Sequence, residues 1–435
     1  MAIANEINIL KGNIRNAYTS IQNKGGTIPT NKNTENLSSA IDSISAGGTT
    51  TLGTKTITTN GVYNASDDNL DGYSKVTVDV KTSNAWQRPT DWYDLPTILS
   101  NTEDIVRDGV TYYPRIALQL EITNTNPITI PASSLTYYSY SANRIVITSD
   151  GEELNTTTSV DVTWDTSKNR TTGYVIIYMS IPLTSQIYIS SLPTNLPVRE
   201  IILGKGGWST PHIGASSSNV NKWLQNFETL ETTSWSSFGY AYCFTNIDSL
   251  QHLYLPTITT ISNTSNSSVS KISLLDVDMP NLKTQNMGYF SSAYCLKRLN
   301  LPNLETATSE SFSNNYALDE INIQKLKTFT STYFLQNSSS LKTIDLSSIV
   351  SGTLSGTARQ YSLKFIKLPT NFKITGWNLA PLYGLTKECL LDILNKLADV
   401  TGESTAYTIT FGSNNLAKLT TEELAIGTGK GWTIK

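Results

Sequence analysis

Charge is scarce in this sequence. Asp, Glu, Lys and Arg make up 15% of the 435 residues, and the formal net charge is -3. That share is well below the usual quarter, and Ser, Thr and Asn fill the gap. A nucleic acid or an anionic membrane held by charge needs a basic patch, so neither is expected as a partner. Histidine occurs twice, at His212 and His252, and cysteine three times, at Cys243, Cys295 and Cys389. Cysteines that are far apart and odd in number build neither a disulfide framework nor a zinc knuckle. They read as small buried hydrophobes. The two histidines lack metal-ligand spacing, and His252 falls on an outward strand position, where an exposed surface histidine is expected. No apolar run reaches the roughly 18 residues of a spanning helix, so membrane insertion is not expected. The first residues lack the basic patch and apolar core of a signal peptide, so Sec export is not expected either.

Catalytic signatures are equally sparse. Gly204-Lys205-Gly206-Gly207 lacks the spacing and the Lys-Ser/Thr ending of a phosphate loop. Asp67, Asn69 and Asp71 begin like a calcium loop, but Val78 stands where its bidentate Glu belongs, so the run reads as an Asp-rich β-turn. No nucleophile is paired with a base, and no motif brings two carboxylates together as glycoside hydrolysis requires. The expectation is a non-enzymatic protein with no catalytic residue, metal or cofactor.

What the chain does have is periodicity. Ile3, Ile7, Leu10, Ile14, Ala17 and Ile21 are spaced 4, 3, 4, 3 and 4, a heptad seam on one helix that ends at Lys24-Gly25-Gly26. Leu37, Ala40, Ile41 and Ile44 form the stripe of a second short helix after Thr34. Two readings follow. The helices bury each other as a hairpin, or Ile3, Ile7, Leu10, Ile14 and Ile21 join copies of the chain. Isoleucine at both seam positions leans towards a trimer. Beyond a Gly-Gly linker, Asn60-Gly61 is a strong turn signal, and Val76, Val78 and Val80 alternate with polar residues as in a half-buried strand. From 85 to 197, short runs such as 115–122, 144–148, 159–164 and 174–181 read as strands of a sandwich.

The strongest signal is internal repetition. One pattern, written in Leu296-Lys297-Arg298-Leu299-Asn300-Leu301-Pro302, recurs from Leu250, Leu274, Leu296, Leu318, Leu341 and Leu363. The starts step by 24, 22, 22, 23 and 22 residues. An earlier copy begins at Val198, with a degenerate one near Leu224. The first, fourth and sixth positions are apolar and can be buried only by neighbouring copies. Phe244, Phe290 and Phe312 lie 6 residues before their leucines and Phe334 lies 7 before Leu341, a second anchor on the opposite wall. An amphipathic helix after Thr386, a strand near 407–411 and a short helix after Thr420 would close the end.

These repeats resemble the BspA-type leucine-rich repeat, and the tail from 394 to 434 resembles the module that follows such repeats. Residues 17–29, the 55–80 module and the 86–92 run, Trp86 to Trp92, resemble virion structural proteins of phages that infect Gram-positive gut bacteria. The resemblance implies a tail-fibre or baseplate-type protein on the virion. Its N-terminus would bind other virion proteins, and its repeats would meet a host-surface glycan or protein. A bacterial adhesin with the same repeats, or an architectural fibre without a receptor, are the alternatives. The expected class is mainly β with α caps. It comprises N-terminal helices (1–46), a small β module (50–82), a β-sandwich-like domain (85–197), a leucine-rich-repeat solenoid (198–384) and a helical C-terminal cap (385–435).

Alternation along each repeat strand turns the third and fifth positions outward. The candidate ligand strip is therefore His252, Tyr254, Asp278, Arg298, Asn300, Glu320, Asn322, Phe365 and Lys367. Arg298 should lie between Asp276 and Glu320, so a charge ladder that stabilises stacking competes with the ligand reading. Trp235, Tyr240, Tyr289, Tyr294, Tyr316 and Tyr333 are rival aromatic contacts.

Overall fold

The computed structural model describes residues 2–44, 52–57, 72–78, 86–122, 127–130, 143–156, 159–168, 170–181, 186–187, 196–204, 206–208, 223–230, 237–238, 247, 249–261, 273–285, 290–308, 312–330, 334–352, 354 and 362–435. The chain divides into two compact units, Met1–Ser83 and Asn84–Lys435.

In the first unit a long helix, Ala2–Asn23, is followed by a short one, Leu37–Asp42. Gly25 takes φ +78°, the left-handed conformation that stops a helix where a Cβ would be strained. The seam divides in two. Its C-terminal half is buried in a hairpin core of Tyr18, Ile21 and Ala40, with Ile14, Leu37, Ile41 and Ile44 packed alongside. Tyr18 Oη donates to the Asn33 carbonyl at 2.8 Å. Ile7 and Leu10, in the N-terminal half, are 47% and 45% exposed. Ile3 lies in the same helix, and its side chain falls outside the description. The strands Leu52–Ile57 and Gly72–Val78 pair in parallel. A tight two-residue turn cannot close a parallel pair, so these strands are not the arms of a hairpin turning at Asn60-Gly61; residues 60, 61, 67, 69 and 71 lie outside the described residues.

The second unit is organised by one 11-stranded sheet. Six strands run parallel, one per coil, in order Val198–Leu203, Asn226–Thr229, His252–Tyr254, Asp276–Asp278, Arg298–Asn300 and Glu320–Asn322. Phe227, Leu253, Val277, Leu299 and Ile321 are consecutive partners in one row facing the core. A second sheet of five two-residue strands, from Ser237–Phe238 to Thr328–Phe329, forms the opposite wall. Phe290, Phe312 and Phe334 are buried between the walls, each at 1% exposure or less; Phe244 and Cys243 lie outside the described residues. The repeat segment is thus a leucine-rich-repeat solenoid, and the early copies at Val198 and Leu224 belong to it.

The front ladder does not run unbroken to the end. Thr343–Asp345 and Phe365–Lys367 form their own two-stranded parallel sheet. Ile344 and Ile366 are still buried, but Ile321, at the division, is only half-buried. The division falls at a coil whose corner differs from those before it. In the coils opened by Phe290 and Phe312 a single residue, Ser292 or Asn314, takes positive φ two places after the Phe. In the coil opened by Phe334, both Leu335 and Asn337 do so. This coil holds the step of 23 residues and the anchor that lies 7 before its leucine.

The sandwich-like region takes an unexpected form. Its long strand Val110–Glu121 pairs antiparallel with Val198–Leu203, and Thr172–Met179, Arg144–Thr148 and Glu153–Thr156 follow outward in the same sheet. One face of this extension packs against the two-stranded pair Ile128–Ile130 and Val160–Val162 with Trp164, inside the same core as the solenoid. The other face is covered by the helix Leu95–Ser100, through Leu95, Leu99, Ala117, Ile176 and Ile202. The sheet passes residue 198 without interruption, so these strands occupy the edge that the first repeat would otherwise expose.

At the far end, the helix Lys387–Lys396 starts at Thr386, whose side chain accepts from the Cys389 N–H at 3.2 Å. Cys389, Leu390, Ile393 and Leu394 are buried under the last coil. Thr420 and Glu423 make a reciprocal capping box on Thr421–Thr428. The strands Trp377–Asn378, Thr408–Thr410 and Thr433–Ile434 complete the cap. Cys295, unlike Cys389, is exposed, so it is not the buried hydrophobe its residue type suggests.

Candidate functional site

The outward side of the front sheet carries two columns of side chains, one from the first and one from the third residue of each strand. In the second column Asn300 Nδ2 donates to Asp278 Oδ1 at 2.9 Å, and Asn322 Nδ2 donates to Asn300 Oδ1 at 2.8 Å. Each amide thus donates to the rung before it, and Asn300 also accepts from the rung after it. In the first column Arg298 lies between carboxylates as its register demands. Nη1 is 2.8 Å from Asp276, Nη2 3.4 Å from Asp278 and Nε 3.4 Å from Glu320. Lys367 pairs with Asp345 at 2.7 Å in the last sheet. The structure therefore brings Asp278, Arg298, Asn300, Glu320 and Asn322 together as one polar panel. Phe365 and Lys367 stand on the separate two-stranded sheet beyond it.

Openness changes along this face. Lys367 is exposed, and Glu320, Asn300, Asn322, Tyr254 and Phe365 are half-buried. His252 is buried, at 8% exposure, which corrects the expectation of a surface histidine. Its strand position does point away from the solenoid core, but residues 86–94 cross the face there. The Trp86 indole stacks on the imidazole, with ring centroids 5.0 Å apart and planes 9° apart. The Trp86 backbone N–H donates to Asp276 Oδ2 at 2.8 Å. His252 Nδ1 lies 3.1 Å from the same oxygen, off the line of a good hydrogen bond.

Two residues on, Arg88 reaches further across the same face. Its Nη2 is 2.6 Å from Glu200 and 3.0 Å from Glu228, and its Nη1 is 3.4 Å from Asp94. Asn226 Nδ2 donates to Glu200 at 2.5 Å and to Glu228 at 2.7 Å. Glu200 is fully buried, and burial pushes its carboxyl up to about 7 despite Arg88. Burial also disfavours charge on Asp276, but His252, the Trp86 N–H and Arg298 outweigh it and hold that carboxyl below its usual range. A strap has therefore closed the N-terminal half of the outward face, from Glu200 to Asp276. The half from Arg298 to Lys367 remains open.

Sequence reasoning missed this strap and its partners Glu200, Asn226 and Glu228. A signal was present: the ladder carried back to the copies at Val198 and Leu224 puts Glu200, Asn226 and Glu228 on outward positions. Three polar groups in line need a counter-charge. Among the aromatic rivals, Tyr294 and Tyr316 are exposed on adjacent coils, with ring centroids 5.8 Å apart. Trp235, Tyr240, Tyr289 and Tyr333 lie outside the described residues.

No curated protein and no solved structure matches the chain. A family does: residues 222–342 and 272–379 match the BspA type leucine rich repeat region, with six copies. The matched segments coincide with the coils from Asn226–Thr229 to the cap. By period, register and family match together, the middle of this chain is a leucine-rich-repeat solenoid similar to the BspA type.

Proposed function

We propose that this protein is a non-catalytic, adhesin-like attachment protein whose repeat unit holds a surface ligand on the open half of the front face. The observation that carries the reading is the contrast along one face. The strap covers the outward groups from Glu200 to Asp276, whereas Glu320, Asn322, Phe365 and Lys367, although three of them also pair with neighbouring rungs, keep a side open to solvent or a partner. A row of amides and paired charges beside an aromatic ring suits a neutral, hydroxyl-rich or amide-rich surface better than a polyanion. The N-terminal helix supplies the second element. Its exposed Ile7 and Leu10 continue a heptad seam, and a second and third copy of the chain are the partners that seam fits.

The finer reading is a fibre on a bacteriophage particle, made in the host cytoplasm and meeting the host surface with these repeats. It rests on the resemblance of residues 17–29, 55–80 and 86–92 to virion proteins. A bacterial surface adhesin uses the same repeats. The labelled full chain should sediment with envelopes of Gram-positive gut bacteria, and Asn322→Arg with Phe365→Ala should abolish this. Retention by the double variant, or absence of binding by the parent, would sink the attachment reading. Decoration of phage particles by an antibody against the chain separates fibre from adhesin.

A further inference from the structure

Outside the repeats, the strap builds a concave site of its own. A cleft of about 430 Å³ is lined by Asp91, Trp92, Tyr93, Arg170, Thr171 and Thr172. That size falls in the range of small-molecule sites, roughly 300–1,000 Å³. Its walls are held rigidly. Tyr93 packs edge-on against Tyr174 at 4.8 Å, and its N–H donates to Gln119 Oε1 at 3.0 Å. Arg170 Nη1 donates to Tyr93 Oη at 2.8 Å, and its Nη2 pairs with Asp150. The Thr172 hydroxyl donates to the Asp91 carbonyl at 3.2 Å. Trp92 is half-buried and stands 6.1 Å from Trp86, with planes inclined at 58°, so the two indoles form a corner.

We propose that this cleft binds one neutral pyranose unit of a saccharide, its C–H face laid on Trp92 and its hydroxyls held by Asp91 and Thr171. An indole offers a flat apolar face to such a ring. A carboxylate has about four lone-pair sites, and Thr171 Oγ1 takes one of them at 3.3 Å, which leaves acceptors for sugar hydroxyls. Charge decides between a neutral and an acidic sugar. Among the described residues the one cation lining the cleft is Arg170, and it is already paired with Asp150, which also binds Lys168 at 2.9 Å. Exposed Asp91 at the mouth repels an anion. The site shares no residue with the repeat face, so it goes beyond the attachment reading and stands or falls separately.

The test titrates the full chain with the methyl glycosides of glucose, galactose, mannose and N-acetylglucosamine, and with galacturonate, by saturation-transfer NMR. Saturable binding of at least one neutral glycoside is expected. Trp92→Ala and Asp91→Asn should each weaken it by about tenfold or more, and Tyr294→Ala should leave it unchanged. Asp91→Asn keeps the shape and the exposed position, so its loss cannot be put down to misfolding. No saturable binding by the four neutral sugars, galacturonate bound as well as they are, or full affinity in Trp92→Ala would each overturn the proposal. Envelope binding that survives Trp92→Ala would leave the repeat-face reading standing alone.

Discussion

Arg88 is the residue on which the outward face turns. It faces Glu200, Glu228 and Asp94, and Asn226 completes the ring. Removing Arg88 leaves Glu200 and Glu228 without their counter-charge, and uptake of a proton by Glu200, whose carboxyl already sits at about 7, limits the cost to about 1–3 kcal/mol. Arg88→Ala should lower stability by that order in a urea melt. The pH dependence follows from Glu200. Its folded carboxyl sits at about 7, above the 4.5 of the free side chain. The folded state therefore prefers the proton, and the stability this provides is complete below about 4.5 and lost as pH rises through 7. Compared with Glu200→Gln, the parent should lose on the order of 3 kcal/mol between about pH 4.5 and about pH 8, since each tenfold change in proton affinity is worth about 1.4 kcal/mol. A difference between the two that stays flat over that window would refute the assignment. The repeat register could place Glu200, Asn226 and Glu228 on the outward face, but their partner was not legible, because nothing in the sequence near Trp86 and Arg88 says which distant strand they cross.

At the scale of elements, much more could be read. The period placed the strands, and Leu253, Val277 and Leu299 line one row of the core. Thr386 and Thr420 cap helices where the sequence puts them. The division of the front ladder after Glu320–Asn322 was not legible, because the longer step of 24 residues from Leu250 to Leu274 leaves the ladder intact. The N-terminal helix was legible as a seam but not as a divided one, since heptad spacing does not reveal which half a second helix covers. That division makes a prediction. Ile7→Asp with Leu10→Asp should convert a multimer to a monomer in light scattering while leaving the hairpin around Tyr18 and Ile21 intact. An unchanged mass, or a monomeric parent, would remove the seam from the assembly.

For the molecule as a whole, the solenoid and its N-terminal strands share one sheet and one core. Sandwich-like patterning at 85–197 was visible in the alternation of its strands. Its pairing with the repeats was not, because Val110–Glu121 meets Val198–Leu203 across a long stretch of chain and no local motif encodes that register. A solenoid with a bare end exposes unpaired backbone and apolar side chains. A fragment of residues 84–435 should therefore fold and melt in a single transition, and one of residues 198–435 should aggregate. A soluble, cooperative 198–435 fragment would show that the antiparallel strands are an appendage.

The strap lies immediately after residue 83, where the first unit ends. Any tension delivered through the N-terminal segment enters the second unit at Trp86 and Arg88. From there it is divided among four coils, through Glu200, Glu228, His252 and Asp276, before it can reach a terminal strand. Under the attachment proposal, with the other end held, this arrangement would spread the load and set the first step of mechanical failure. Pulled from that end, the strap must peel away before any of the four coils it holds can be drawn open.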